Sequence, residues 1–275
     1  MGARLTAMVE SVPPPWARLP GDGWTAVTVG ESGAAVFRSA DGSRYAKCVR
    51  GDQAVSLEAE RDRVEWLSAQ AVPGPRVLDW RATDEGACLV TSAVRGVGAD
   101  TLSASRLRAA WGTITDAVRR LHDLPPSRCP FSRDLTRMFA AARDVVARGA
   151  VNPEFLPVEQ QRTPPERLLA RLEPQLGHRL EQEADESVVC HGDLCLPNII
   201  LDPETLDVAG FIDLGRLGRA DPYADIALLL ATARERWDDE RQAEAAEKDF
   251  ADRYGLVLDR DRERFYLHLD PLTWG

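Results

Sequence analysis

The segment at residues 188–216, VVCHGDLCLPNIILDPETLDVAGFIDLGR, most restricts what this chain can fold into. Its apolar runs are typical of buried strands, but four polar residues interrupt them: His191, Asp193, Asn198 and Asp213. A carboxylate that is buried without a partner is costly. The pattern therefore predicts either that these groups are paired structurally or that something cationic lies among them.

The runs around these residues predict where each one lies. ESVVC is typical of a strand, HGDLCLPN of a loop, IILD of a second strand, PETLD of a turn and VAGFID of a third strand. Pairing of the last two strands would bring Asn198 close to Asp213. An amide oxygen beside a carboxylate suits Mg²⁺ that is held together with nucleotide phosphates. Asp193 would then be the base that orients a substrate hydroxyl.

The first third of the chain has a strand-like character. Short alternating or β-branched runs predict two hairpins, at residues 35–49 and 76–93, with ADGS and TDEG as their turns. One helix is predicted between them, at about residues 55–70. The glycine-containing run AVRGVGA then connects this β-rich part to a larger helical part.

The remainder of the chain is mainly helical in pattern. A helix capped by Ser103 or Ser105 has an amphipathic face with alternating steps of four and three: Leu107, Trp111, Ile114, Val118 and Leu121. Further helical patterns cover residues 165–183, 224–237 and 242–254.

An Asp, an Asn five residues later and a second Asp after a hairpin are the pattern of a kinase catalytic loop and metal-binding segment. Here the pattern is HGDLCLPN followed by IDLGR, which resembles the aminoglycoside phosphotransferase family. The resemblance implies an α+β, two-lobed protein-kinase-like fold with the active site in the cleft. Residues 1–93 would form a small β-rich nucleotide-binding lobe with one helix, and residues 94–275 a larger, mainly helical lobe. The structural alternative is a hairpin whose turn carboxylates are satisfied locally.

A kinase also needs a cation for the α- and β-phosphates, held by an acidic partner. Lys47 lies in the strand RYAKCVR, where a lysine is more often an edge or surface residue. The following helix places Glu60 on the stripe formed by Leu57, Val64 and Leu67. A glutamate on an inner stripe needs a cationic partner, and Lys47 is the natural candidate. The family resemblance implies the same pair.

The run VGESGAAVF joins the first two strands and would cover the nucleotide, although it lacks the full GxGxxG pattern. Gly30 and Gly33 permit a tight turn, and Ser32 with the loop amides would donate to a phosphate. Taken alone, this run is typical of a plain hairpin turn. The family resemblance adds an adenine contact from the backbone at Thr91, Ser92 and Ala93.

Three further residues have structural alternatives. We favour His191 as a hydrogen-bonding hub that orients the loop, because Asp193 is the better-placed base. Asp225, in RADPYAD, is favoured as a helix N-terminal acid or a brace for the catalytic loop over a ligand. For Arg216 a phosphate contact and a structural brace stay equally open.

Charge and composition restrict the partners. Thirty-four basic against 44 acidic residues give a net charge of −10, which argues against nucleic acid or an anionic membrane and is compatible with a cationic ligand. Five scattered cysteines and four histidines show no metal-ligand spacing, so a transition-metal site is not expected. No signal peptide or membrane-spanning run is present, and the cytoplasm is the expected compartment. Protein partners stay unknown from the sequence.

Other runs resemble the streptomycin 3″-phosphotransferase branch of the family, among them CPFSRDLTRMF, AVNPEFLP and FYLHLDPLTWG. This resemblance implies transfer of the γ-phosphate of ATP, with Mg²⁺, to the 3″-hydroxyl of streptomycin, which gives resistance. Streptomycin carries two guanidinium groups, so its site should offer carboxylates. The candidates are Glu154, Glu235, Asp270 and the terminal carboxylate of Gly275. Trp237 and Trp274 would stack on sugar or guanidinium planes, although each is more often a core residue.

Two rival functions stay open. One is a kinase for another cationic small molecule, such as a different aminoglycoside or a choline-like amine. The other is a catalytically silent nucleotide-binding protein, against which the complete set of five kinase residues argues: Lys47, Glu60, Asp193, Asn198 and Asp213.

Overall fold

The computed structural model describes residues 13–21, 23–27 and 34–275, and the chain divides into two compact units. Unit 1 holds the described residues up to Gly96 together with Ala209–Gly215, and unit 2 holds Val97–Val208 and Arg216–Gly275. The sequence interpretation assigned residues 209–215 to the C-terminal lobe. They group with unit 1 because the amide of Phe211 donates to the carbonyl of Pro73 at 3.1 Å.

Unit 1 is built on a five-stranded sheet in the order β1-β2-β3-β5-β4. Its strands are β1 (Thr25–Val27), β2 (Ala35–Arg38), β3 (Arg44–Arg50), β4 (Val77–Thr83) and β5 (Gly86–Ser92). All neighbouring pairs among them are antiparallel. The two predicted hairpins are therefore present, as β2–β3 and β4–β5.

The two faces of this sheet are covered differently. One face carries a buried cluster that includes Phe37, Ala46 and Cys48. The other packs Val49 and Leu89 under α1 (Ala54–Ser68), the single helix predicted in this part of the chain. Because side chains alternate along a strand, Lys47 lies on the helix-covered face with Val49.

Unit 2 is mainly helical. Its helices are α2 (Ala104–His122), α3 (Leu135–Ala147), α4 (Pro165–Leu172), α5 (Leu176–Glu186), α6 (Tyr223–Arg234), α7 (Glu240–Tyr254) and α8 (Arg260–Leu269). The amphipathic face predicted for α2 is buried, and the oxygen of Ser103 caps the helix by accepting from the amide of Arg106 at 3.4 Å. Among the described residues, no helix is long and apolar enough to cross a membrane.

The predictions for unit 2 were wrong or incomplete at three places. The pattern at residues 165–183 is not one helix: a 3₁₀ turn at Glu173–Gln175 separates α4 from α5. Pro174 lies in this turn and cannot donate the backbone hydrogen bond that an unbroken helix requires there. Helices α3 and α8 were not predicted, although both bury apolar side chains in the core of unit 2.

Short strands frame the predicted catalytic loop of unit 2. Strand β7 (Val188–Cys190) pairs with β10 (Gly218–Ala220), and β6 (Val97–Gly98) pairs with β8 (Ile199–Leu201). Strand β9 (Val208–Phe211) follows β8 along the chain. The run HGDLCLPN thus lies between β7 and β8, as predicted, and its last three residues form a 3₁₀ turn.

Candidate active site

Two carboxylates of unit 1 hold the ammonium of Lys47. Its Nζ lies 2.8 Å from Oε2 of Glu60, on α1, and 3.2 Å from Oδ1 of Asp213. The side chain of Glu60 is only 13% exposed. The ion pair that the apolar stripe of α1 predicted is present, and Asp213 is a second partner that the sequence did not predict.

Burial and charge set the ionisation of this cluster. Burial acts to lower the pKa of Lys47, but the carboxylates of Glu60 and Asp213 outweigh it and raise that pKa to about 12. Burial raises the pKa of Glu60; Lys47 opposes this effect, and the negative charge of Asp213 adds to it. Lys47 is therefore a fixed positive charge at neutral pH, suited to a polyphosphate.

Asp213 has a left-handed backbone, with φ of 60°. Asp and Asn adopt this conformation more readily than other residues that carry a Cβ. The side chain is 49% exposed, and one oxygen faces Lys47. The carboxylate is thus accessible to a cation from solvent.

The predicted catalytic loop of unit 2 is organised by Asn198. Its side-chain nitrogen donates to the backbone carbonyl of Asp193 at 2.9 Å and to Oδ2 of Asp193 at 3.0 Å. Asn198 is buried, at 7% exposure, whereas Asp193 is half-buried. Because both hydrogens of the Asn198 amide are used, its oxygen is the atom that suits a cation. Asn198 and Asp213 belong to different units, and their sharing of one metal ion stays a prediction.

His191 and Asp225 fix the backbone of this loop. The amide of Asp193 donates to Nδ1 of His191 at 3.2 Å, so that ring nitrogen acts as an acceptor. Asp225 lies in the first turn of α6 and accepts from the amides of His191 and Gly192, at 2.6 and 2.8 Å. These contacts agree with the structural alternatives: His191 orients the loop, and Asp225 braces it.

The remaining nucleotide-binding predictions concern two other segments of the first third of the chain. Ser32 and Gly33, with Gly30, fall outside the described residues. In the segment predicted to contact adenine, the amide of Ser92 donates to the carbonyl of Arg76 and the amide of Ala93 to that of Ser43. Thr91 lies within β5. An adenine contact from this segment therefore depends on atoms other than these two amides.

The four candidate contacts to the acceptor are in different environments. Glu154 and Glu235 are exposed, and so is Gly275, whose carbonyl accepts from Nη2 of Arg148 at 3.4 Å. Asp270 is not exposed: its Oδ1 accepts from Nη2 of Arg133 at 2.8 Å. The structure therefore gives Asp270 an internal partner that the sequence did not reveal.

Trp237 and Arg216 have contacts within unit 2. Trp237 is buried and packs edge-on against Trp111, with ring centroids 5.5 Å apart. Core packing, which the sequence left as the commoner alternative, is its role. Arg216 donates to the hydroxyl of Thr273 at 2.9 Å and to its carbonyl at 3.2 Å. For Arg216 this contact favours the structural brace over the phosphate contact.

One cluster in unit 2 has the spacing of a metal site. Ligand atoms of His122, Cys190 and Asp225 lie within 4.8 Å of one another, and all three residues are buried. Burial raises the pKa of the Cys190 thiol well above its ordinary value, and the thiol donates to the carbonyl of Asp221 at 3.3 Å. A neutral thiol is a poor metal ligand. The cluster is a hydrogen-bonded network that includes residues which the sequence did not single out.

The comparisons with known proteins agree with this arrangement. The model of the APH phosphotransferase enzyme family matches residues 23–266. The chain belongs to this family. It is 66% identical to the streptomycin 3″-kinase of Streptomyces griseus over 255 residues, which are 93% of this chain and 94% of that protein.

Further relatives of the chain extend the comparison. The aminoglycoside 3′-phosphotransferase of Streptomyces fradiae is 40% identical over 90% of this chain and 94% of its own length. The solved structure of aminoglycoside phosphotransferase APH(3″)-Id from Streptomyces rimosus, in complex with ADP and streptomycin, matches with a TM-score of 0.88. That match is 72% identical and covers 92% of this chain and 93% of the other. The predicted kinase-like α+β fold is confirmed.

Proposed function

We propose that this protein transfers the γ-phosphoryl group of ATP to the 3″-hydroxyl of streptomycin. The observation that carries the proposal is the hydrogen-bonded pair of Asp193 and Asn198, in a chain 66% identical to a streptomycin 3″-kinase. The 72% identical structure that binds ADP and streptomycin supports both substrates. Phosphorylation of this hydroxyl would inactivate the antibiotic and give resistance.

In this proposal the unit 1 cluster binds the nucleotide. The ammonium of Lys47 would contact the α- and β-phosphates, and Glu60 would hold that ammonium in place. The distance of 2.8 Å between Nζ and Oε2 supports this division of roles. A lysine tethered in this way loses little freedom when the nucleotide binds.

The loop of unit 2 would contact the acceptor hydroxyl. The half-buried carboxylate of Asp193 would accept a hydrogen bond from the 3″-hydroxyl, orient its oxygen toward the γ-phosphorus and take its proton. Asn198 restricts the rotation of this carboxylate through the 3.0 Å bond to Oδ2. The transfer would be direct and in line, without a phosphoenzyme.

The donor groups of the site suit Mg²⁺. The amide oxygen of Asn198 and the carboxylate of Asp213 are hard oxygen ligands, which this ion prefers. We assign these two residues as the protein ligands of Mg²⁺. When bound, the ion would neutralise negative charge on the phosphates.

The acceptor carries cationic guanidinium groups, and the exposed carboxylates of unit 2 would bind them. Glu154 and Glu235 are exposed, which supports this role. Asp270 would act less directly, because Arg133 already uses one of its oxygens.

A coupled assay of ADP release, run over a panel of aminoglycosides with purified protein, tests the proposal. We expect turnover with streptomycin, and NMR of the product should locate the phosphate on the 3″-oxygen. Because 3′-phosphotransferases are also related to this chain, kanamycin is the informative competitor. Phosphorylation of kanamycin but not of streptomycin would overturn the 3″ assignment.

A further inference from the structure

Three side chains from three helices, two of them buried, form a chain of contacts that ends on the catalytic loop. Nδ1 of His122, on α2, lies 2.7 Å from the hydroxyl of Tyr254, on α7. Nε2 of the same ring lies 3.1 Å from Oδ2 of Asp225, on α6. His122 is 4% exposed, and Asp225 is fully buried. None of the three roles proposed for ATP, Mg²⁺ or streptomycin uses His122 or Tyr254.

Asp225 connects this chain to the loop. Its two oxygens accept from the amides of His191 and Gly192, the two residues that precede Asp193. Burial acts to raise the pKa of Asp225, but the hydrogen bonds from His122 and from the Gly192 amide hold that pKa below its ordinary value. Asp225 is therefore a carboxylate, and it needs donors from the protein because water does not reach it.

His122 supplies a side-chain donor to that carboxylate. A carboxylate oxygen only accepts, so Nε2 carries the hydrogen of the 3.1 Å contact. The loss of this donor would leave Asp225 with the two loop amides and a larger desolvation cost. Protonation or rotation of the carboxyl would relieve that cost, and either change would weaken its hold on the loop backbone.

Tyr254 fixes the imidazole in turn. Burial raises the pKa of its hydroxyl, which stays neutral and hydrogen-bonded to Nδ1. The ring stacks on Phe250, with centroids 5.5 Å apart, so the hydroxyl is held independently of His122. The imidazole is therefore bonded on both nitrogens, and its orientation toward Asp225 is set.

We propose that His122, oriented by Tyr254, is a positioning residue for phosphoryl transfer: it holds the Asp225 carboxylate against the loop amides and thereby places Asp193. The kinetic part of this inference rests on the proposed function. Its structural part, which is that His122 keeps the loop backbone ordered, does not rest on the proposed function.

The test compares His122→Leu with His122→Gln in the full chain. The amide nitrogen of Gln reaches about as far as Nε2 of His and keeps a donor, whereas Leu keeps bulk and removes it. Trp111→Phe is the control, since it removes another buried hydrogen bond of α2, from Nε1 to the carbonyl of Ala246 at 2.7 Å. Tyr254→Phe removes only the hydroxyl.

We expect His122→Leu to lower kcat by about tenfold or more. KM for ATP should stay within about twofold, because the proposed contact to the phosphates comes from Lys47 and not from His191 or Gly192. His122→Gln should recover most of kcat, Tyr254→Phe should lose less than His122→Leu, and Trp111→Phe should keep kcat whatever its stability. If His122→Leu does not fold, the Gln and Tyr254→Phe variants still test the inference.

Amide hydrogen exchange of the peptide that contains His191 and Gly192 gives an independent measurement. Faster exchange there in His122→Leu, but not in Trp111→Phe, supports the positioning role even if streptomycin is not the substrate. Unchanged exchange together with unchanged kcat overturns it. An equal loss of kcat in the Gln and Leu variants also overturns it, because a donor would then not matter. A wild-type protein that fails to phosphorylate streptomycin refutes the proposed function and leaves the exchange result to decide this inference.

Discussion

The guanidinium of Arg216 lies 3.3 Å from the centroid of the Trp274 ring, so a cation of the protein itself covers one face of this tryptophan. The indole nitrogen of Trp274 donates to Oδ2 of Asp270 at 3.0 Å, while Oδ1 of Asp270 accepts from Arg133. Both oxygens of Asp270 thus have partners within unit 2. The C-terminal residues are held as a packed part of that unit.

Asp270→Asn should therefore destabilise the protein. The variant leaves the cation of Arg133 without its charged partner at a site where Asp270 is only 15% exposed. We expect the free energy of unfolding in urea to fall by about 2–4 kcal/mol. Glu154→Gln, an exposed carboxylate, is the control and should change it by less than about 0.5 kcal/mol. A rise in KM for streptomycin at unchanged stability would instead identify Asp270 as a direct ligand.

Gly192→Ala should disrupt the catalytic loop. Gly192 has φ of 84°, and a Cβ there would lie 2.2 Å from the carbonyl oxygen of Arg216. The control is Gly255→Ala, with φ of 89° and no atom within 4 Å of the added Cβ, which should cost about 1 kcal/mol. We expect Gly192→Ala to cost at least about 1 kcal/mol more and to lower kcat in the folded protein. Equal unfolding free energies for the two variants would contradict the close packing at Gly192.

The charge of Lys47 should make stability depend on pH in the alkaline range. Its pKa is raised from 10.5 to about 12, so its contribution is fully present below pH 10.5 and is lost as the pH rises through about 12. The shift corresponds to about 2 kcal/mol. Lys47→Arg keeps its charge over this range, so its unfolding free energy should fall less steeply than that of the wild type. Parallel curves for the two proteins would argue against the ion pair in solution.

Asp213→Asn should change the dependence on magnesium. Asn tolerates the left-handed backbone of this position, so the variant removes the charge with little strain. We expect a higher Mg²⁺ concentration for half-maximal activity and a lower kcat, because one carboxylate at the ion is lost. A magnesium titration that coincides with that of the wild type would exclude Asp213 as a ligand.

Asp193→Ala should abolish turnover and leave ATP binding nearly intact. In the proposed function its carboxylate binds the acceptor hydroxyl, whereas the nucleotide contacts are assigned to Lys47. We expect kcat to fall by about 10²-fold or more. ATP affinity, measured by calorimetry without streptomycin, should change by less than about threefold. If the variant kept more than about a tenth of wild-type kcat, the assignment of Asp193 would be wrong.

Local patterns sufficed where a feature depends on neighbours in sequence. The alternation in β3 and the 3-4-3 stripe of α1 placed Lys47 opposite Glu60, and the two are bonded. The face of α2 and both hairpins of unit 1 were predicted for the same reason. The break at Pro174 had a local signal as well, since proline interrupts a helix, but the apolar periodicity on both sides of it masked the signal.

Contacts between residues that are distant in sequence could not be predicted from these patterns. The partners Arg133 and Asp270 are 137 residues apart, and His122 and Asp225 are 103 apart. No periodicity relates such positions, so the environment of Asp270 and the role of His122 required the fold. The second partner of Lys47 is a similar case, because Asp213 enters unit 1 from a segment 166 residues further along the chain.

The membership of Ala209–Gly215 in unit 1 has a consequence for recombination between related genes. A single crossover near Gly96 would exchange Lys47 and Glu60 but leave the recipient's own Asp213 in place. The Lys47 ammonium from one protein would then pair with Asp213 from the other, although the two residues did not evolve in the same unit 1. Chimeras that exchange intact modules therefore need three junctions, near residues 96, 208 and 215, and one-junction hybrids should be inherited less often as working enzymes.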